Sequence, residues 1–179
     1  YWADADSSTL EEARLAAQRA LELDSNDAAV QQANAMVALQ LRQHERASMH
    51  FNRAVDLNPV DAEIRADRAA AMQYAGQPEN ALSAIDDALQ RSKFPPHWFW
   101  WIRGAILIDL ERYDEAIAAL GNIPQKEYGA WLQLAAAHAQ LGHASEAAQA
   151  LAMGRKLKPN LSLRDVIATS PYVHSEALD

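Results

Sequence analysis

The sequence predicts an all-α fold in which antiparallel helical hairpins stack into a right-handed superhelix. Ala13, Ala47 and Ala81 lie 34 residues apart, and Ala116 and Ala147 follow at spacings of 35 and 31. Such a period is typical of stacked hairpins that bury a continuous core only together. Glycine and proline are sparse, 6 and 7 among 179 residues, and no strand pattern is visible. An ordinary helical bundle is the alternative, but it has no reason to keep one phase over five units.

The unit at residues 28–61 shows the pattern most fully. Small side chains at Ala35, Ala47 and Ala54 allow two antiparallel helices to approach closely. Phe51 is large enough to fill the space between neighbouring repeats. Pro59 predicts that the second helix stops near residue 57, because proline cannot continue a helix.

Three further units, at residues 62–96, 97–127 and 128–159, repeat this pattern of small and large apolar residues. The matching positions hold Ala69, Ala81, Ile85 and Ala88, then Gly104, Ala116 and Leu120, then Ala135, Ala147, Leu151 and Gly154. Gly154 stands where alanine is usual.

Glycine and proline mark the predicted helix ends inside these units. Gly76 fits the C-terminal stop of one helix, and Pro78 fits the first turn of the next. Gly121 and Pro124 predict a short second helix in the unit at residues 97–127. This shortening explains the spacing of 31 residues to the following unit.

The two ends of the sequence depart from the repeat. Residues 1–27 form a partial unit with one recognisable helix, predicted over residues 10–23, with Thr9 as its N-cap and Glu12 reaching back to it. Because the partner helix would precede Tyr1, we expect the sequence to be part of a longer protein.

Residues 160–179 lack the repeat pattern. They predict two short helices, at residues 161–168 and 172–178, the second after Pro171. We interpret this segment as a C-terminal cap, because the terminal units of a repeat array need a polar outer face.

The residues at these positions resemble those of the tetratricopeptide (TPR) family, whose repeats span 34 residues. Gln31 and Arg65 depart from the family pattern, because tryptophan is common at their position. The resemblance implies a protein-binding superhelix without catalytic activity, lined on its inner face by the first helix of each unit.

A narrower resemblance rests on four stretches of the chain. These are HWFWWIRG at residues 97–104, LERYDEAI at 110–117, WLQLAAAHAQLG at 131–142, and LSLR with SPY at 161–164 and 170–172. They resemble the C-terminal TPR region of bacterial class III adenylate/guanylate cyclases. Similar regions follow winged-helix domains in some bacterial transcription regulators. The resemblance implies a regulatory module of a cyclic-nucleotide signalling protein, with a regulator's sensor module or a free-standing scaffold as alternatives.

The TPR resemblance also implies which residues face the groove, and it predicts a largely apolar, nearly uncharged surface. The candidate partner-binding residues are Gln32, Met36, Leu39, Gln73, Tyr74, Trp98, Trp101, Ile108, Leu132 and Gln140. We expect a protein or peptide partner in this groove, or self-association. Trp98 and Trp101 are candidate anchors, since aromatic residues often dominate interface energies. Alternatively, both pack against the neighbouring repeat.

Composition argues against several other functions. The net charge of -8 disfavours a nucleic-acid partner, because phosphate backbones attract clustered positive charge. The chain has no cysteine, so it forms no disulfide or thiolate metal site. No apolar run approaches the roughly 20 residues of a membrane span, and no signal peptide is visible. We therefore expect a cytoplasmic location and no membrane partner.

No catalytic, cofactor or metal site is predicted for this segment. The phosphate-binding, dinucleotide-binding and nucleophile-elbow motifs are absent from the sequence. His138 and His143 are five residues apart, which would separate them on a helix, whereas helical zinc pairs use a spacing of four. We expect no cyclase activity from these residues.

Overall fold

The computed structural model describes residues 7–160, 162 and 171–172, and the described part contains α-helices and no strand. The predicted all-α superhelix of antiparallel hairpins is confirmed as the fold class. The helices are α1 (Ser7–Leu23), α2 (Ala28–Gln40), α3 (His44–Leu57), α4 (Ala62–Tyr74), α5 (Pro78–Arg91), α6 (His97–Asp109), α7 (Tyr113–Gly121), α8 (Tyr128–Gln140) and α9 (Ala144–Leu157). The predicted C-terminal helices, and any helix stub at Tyr1 and Trp2, lie outside the described residues.

Four hairpins, α2–α3, α4–α5, α6–α7 and α8–α9, stack in chain order. First helices of successive repeats also contact each other, α4 with α6 and α6 with α8, whereas no two second helices share comparable contact in the described region. Closer approach on one side bends a stack toward that side. The first helices therefore line the inner face of the superhelix, and α3, α5, α7 and α9 lie outside.

The same three-residue turn joins the two helices in all four hairpins. Its central residue, Arg42, Gly76, Glu111 or Gly142, has a φ between 55° and 76°. The next amide donates to the carbonyl five residues earlier at 2.8–3.0 Å, which is the Schellman ending of a helix. Glycine accepts this backbone without strain, and it occurs in two of the four turns. The helix stop predicted at Gly76 is confirmed.

Aspartate residues cap the first helices of the first two hairpins. Asp27 accepts hydrogen bonds from the backbone amides of Ala29 and Val30. Asp61 accepts hydrogen bonds from the backbone amides of Glu63 and Ile64. The prediction that Thr9 caps the first helix is wrong. Helix α1 begins at Ser7, so Thr9 already lies within its first turn, where a threonine is not an N-cap.

The predicted small and large apolar positions form the core. The predicted residues that are fully buried are Ala35, Ala47, Phe51 and Ala54, then Ala69, Ala81, Ile85 and Ala88, then Ala116 and Leu120. In α9 the pattern weakens: Gly154 is buried as predicted, but Ala147 and Leu151 are only half-buried, and Ala150 is buried instead. The short α7, which ends at Gly121, agrees with the break predicted there.

Two buried helical glycines are expected to respond oppositely to alanine. A Cβ at Gly104 would lie 2.7 Å from Cγ of Leu120, whose side chain is fully buried and cannot move away. A Cβ at Gly154 would lie 3.5 Å from its nearest neighbours, an ordinary contact. We expect Gly104→Ala to lower the free energy of unfolding by about 1–2 kcal/mol. Gly154→Ala should raise it by about 0.5–1 kcal/mol, because alanine favours the helix.

Urea denaturation followed by circular dichroism measures both free energies. The two variants carry the same substitution in the same secondary structure, so each controls for the other. Stabilisation by Gly104→Ala would show that the contact between α6 and Leu120 of α7 is loose enough to accept a methyl group.

Candidate functional site

Two glutamine–aspartate hydrogen bonds join neighbouring first helices on the inner face. The Gln32 amide of α2 donates to Asp67 of α4 at 2.6 Å. One repeat later, the Gln73 amide of α4 donates to Asp109 of α6 at 2.8 Å. Both aspartates belong to the following repeat. These bonds hold the first helices side by side, and they place two carboxylates on a face predicted to be nearly uncharged.

Residues from the C-terminal segment reach the second of these pairs. The hydroxyl of Tyr172 accepts a hydrogen bond from Nε2 of Gln73 at 2.6 Å and donates one to Oδ2 of Asp109 at 2.9 Å. Its ring meets that of Tyr74 edge to face, with the centroids 4.9 Å apart. Pro171, the preceding residue, is buried. The inner face therefore holds a tyrosine side chain between α4 and α6.

The surroundings of the inner face shift the acidity of its groups. Desolvation raises the pKa of Asp67 to about 6; the bond from Gln32 opposes the rise, and the charges of Glu63 and Asp61 add to it. Burial raises the pKa of Tyr74 to about 12, with a contribution from Asp109. Desolvation by burial also raises the pKa of Asp109, and the hydrogen bonds from Gln73 and Tyr172 oppose this rise.

The two candidate anchor tryptophans have different surroundings. The half-buried Trp101 packs against the cores of two successive repeats. Its indole lies over Gly129 of α8, where a Cβ would be 3.3 Å from Nε1. When the Gln133 amide is oriented so that both its nitrogen and its oxygen find partners on Trp101, its oxygen accepts a hydrogen bond from Nε1 of Trp101 at 3.1 Å. Trp98 rests on the core beside Phe99. Trp101 thus joins two repeats, and partner binding by either tryptophan stays a prediction.

Several predicted groove residues serve the core. Leu39 is only 3% exposed and packs in one cluster with Phe51. The prediction that Leu39 lies on the open groove surface is therefore wrong, because the contact with the next repeat covers it. Cδ2 of Leu132 points toward Gly154 of its own hairpin, where an added Cβ would lie 3.5 Å away. Ile108 rests on the core around Leu107. Met36 and Tyr74 lie half-buried on one cluster, and Gln140 is exposed.

The predicted partner-binding residues did not include Asp67, Asp109 and Tyr172. The two aspartates follow their glutamine partners by 35 and 36 residues, close to one repeat period. This spacing was visible in the sequence, but it gains meaning only when consecutive first helices are known to lie side by side. Tyr172 was predicted to begin a capping helix, and no pattern in the chain links it to α4.

His138 and His143 were predicted to point apart, and the structure contradicts this. Helix α8 ends at Gln140 and the chain reverses at Gly142, so the Nδ1 atoms of the two rings lie 3.4 Å apart. Within the described ranges, no group of three or more His, Cys, Asp or Glu residues could hold a metal ion. None of the described helices is both long enough and apolar enough to cross a bilayer.

Comparison with solved structures places this architecture among known folds. PilW, a widely conserved type IV pilus biogenesis factor, superposes with a TM-score of 0.78 at 19% sequence identity, covering 89% of this chain and 75% of PilW. MamA gives a TM-score of 0.67 at 16% identity, covering 85% of this chain and 90% of MamA.

A third solved structure, YrrB, is described as a TPR protein with an unusual peptide-binding site. It gives a TM-score of 0.63 at 19% identity, covering 92% of this chain and 86% of YrrB. No protein-family model matches the sequence, and a search of curated proteins gave no match. At these identities the likeness concerns the fold, and the chain has the TPR-like fold of stacked helical hairpins.

Proposed function

We propose that this chain is a non-catalytic interaction module that binds a protein or peptide segment on its inner face. The observation that supports this proposal is the row of first helices on the inner face: α4, α6 and α8 contact in turn, and glutamine–aspartate bonds join α2 to α4 and α4 to α6. A surface shared by several repeats fits an extended or helical segment better than a small molecule.

The fold comparison adds support. YrrB, which shares the fold, is described as having a peptide-binding site. Gln32 and Met36 are four residues apart on α2 and therefore share one side of that helix. Met36 and Tyr74 pack on the same cluster. Side chains of two repeats thus converge where a bound segment would contact both.

A pair of methionine substitutions tests the site. Peptides are first selected from a random library against the wild-type chain, and their affinities are measured by fluorescence anisotropy. Met36→Glu should weaken binding at least about tenfold, because it places a charge in the proposed contact. Met49→Glu is the matched control: Met49 lies on the outer helix α3 and is 58% exposed, so binding should not change. Equal losses in both variants would refute the inner-face proposal.

The class of parent protein is a narrower proposal that rests on the sequence resemblance. We propose a regulatory region of a bacterial class III nucleotide cyclase in the cytoplasm, with a transcription regulator's sensor module or a free-standing scaffold as alternatives. The coding sequence before Tyr1 tests this. An α/β domain with two metal-binding aspartates would support the cyclase, and a basic winged-helix domain would support the regulator.

Self-association is the alternative to a separate partner, and sedimentation of the purified chain measures it.

A further inference from the structure

The contact of Tyr172 with the inner face has the features of a binding site for a tyrosine side chain. Gln73 and Asp109 come from different repeats and are already joined to each other at 2.8 Å. The tyrosine hydroxyl closes this pair into a triangle, because it accepts from the amide and donates to the carboxylate. A hydroxyl on an aromatic ring meets both requirements, whereas phenylalanine meets neither.

The aromatic part of the site is equally selective. Tyr74, in the last turn of α4, presents its ring face or edge to the incoming ring at an interplanar angle of 89°. Such edge-to-face pairs gain energy beyond the area that they bury. The ring of Tyr74 therefore positions the bound aromatic ring, and the Gln73–Asp109 pair binds its hydroxyl group. Pro171, the residue before Tyr172, is also buried.

We propose that Gln73, Tyr74 and Asp109 form a tyrosine-binding site, that Pro171–Tyr172 of the same chain occupies it in the free protein, and that the partner is a peptide segment whose tyrosine displaces Tyr172. The proposal rests on the inner-face function above and names the chemistry of its partner. An intramolecular tyrosine has a high effective concentration, so it lowers the apparent affinity of any competing segment. The contact therefore acts as an internal competitor.

The probe is a fluorescent peptide with the sequence ATSPYVHSE, which corresponds to residues 168–176. Its binding to the full-length wild-type chain and to Tyr172→Ala is measured by anisotropy. Emptying the site should tighten binding at least about tenfold, because the internal competitor is gone. A second peptide, in which phenylalanine replaces the tyrosine, should bind Tyr172→Ala about tenfold more weakly, because it lacks the hydrogen bond to a charged group.

A third variant assigns this discrimination to the polar pair. In the Tyr172→Ala background, Asp109→Ala should bring the affinities of the two peptides to within about twofold, since the hydroxyl loses its acceptor. If Tyr172→Ala is too unstable to study, Tyr172→Phe replaces it. This variant keeps the ring and removes only the hydroxyl, so it weakens the internal competitor without emptying the site and should tighten binding by up to about tenfold.

Two results would overturn the proposal. Equal binding of the peptide to the wild-type chain and to Tyr172→Ala would show that Tyr172 does not compete for the site. Equal binding of the tyrosine and phenylalanine peptides to Tyr172→Ala would show that the site does not read the hydroxyl. After either result, binding of library peptides through Met36 would show that the inner-face function stands and that only the tyrosine site is refuted.

Discussion

Replacing Trp101 with alanine is expected to lower the free energy of unfolding by about 3 kcal/mol, the lower end of the usual cost for a core tryptophan. The indole packs against the cores of two repeats and donates to the amide of Gln133. Its loss opens a cavity between α6 and α8 and leaves a polar amide without that partner. The value lies at the lower end because Trp101 is half-buried.

Urea denaturation followed by circular dichroism measures this loss. In a repeat array each unit depends on its neighbours, so a weakened interface should also broaden the transition or split it in two. Phe94→Ala is the control, because Phe94 is 81% exposed and its removal should change stability by less than about 0.5 kcal/mol. A loss for Trp101→Ala as small as that of the control would show that the indole is not a structural link.

The same residue can then be tested for partner binding. Trp101→Phe keeps most of the apolar contact and should cost about 1 kcal/mol, so the variant remains folded for binding measurements. If its affinity for library-selected peptides equals that of the wild type, Trp101 acts in packing alone. A clear loss of affinity in a stable variant would give Trp101 both roles.

Asp67→Asn is expected to raise the free energy of unfolding at pH 7.5 by as much as about 3 kcal/mol. The pKa of Asp67 is raised from 3.8 to about 6 in the folded chain. One pKa unit corresponds to about 1.4 kcal/mol, so this difference penalises the ionised carboxylate by about 3 kcal/mol. Asparagine stays neutral and its amide oxygen can still accept the hydrogen bond from Gln32.

The pH dependence follows from the direction of this shift. Because the pKa of Asp67 is higher in the folded state, its contribution to stability is fully present below about pH 4 and is lost as the pH rises through about 6. The stabilisation by Asp67→Asn should therefore be small at pH 4 and reach its maximum above pH 7. His50 titrates in the opposite sense: burial lowers its pKa. Comparing variant with wild type at each pH removes this background.

Urea titrations at pH 4, 5, 6 and 7.5 give the difference in unfolding free energy. Asp56→Asn is the matched control, because Asp56 is exposed on α3 and its replacement should shift stability little at any pH. A constant difference between Asp67→Asn and wild type across this range would show that the carboxylate is better hydrated than its position between α2 and α4 indicates.

The local structure of this chain could largely be predicted from the sequence. Ala47, Ala81 and Ala116 marked the close helix contacts by their spacing, and Pro59 and Gly76 marked helix ends. These features act through neighbouring backbone atoms or within one hairpin, so a single repeat contains the information. The cap at Thr9 failed because helix ends depend on the residues before them, which carry no periodic pattern.

Which side chains lie on the inner face was decided by the tertiary structure. Whether Leu39 and Leu132 face a groove or a core depends on how the next helix covers them, and a helix position alone does not state this. The short distance between His138 and His143 arises from a chain reversal. Tyr172 meets Gln73 across 99 residues of sequence, and no local preference encodes such a contact. The sequence by itself thus determined the repeat and its hairpins, because they rest on short-range sterics. Only the tertiary structure decided which polar groups meet between the repeats, because those contacts join distant residues.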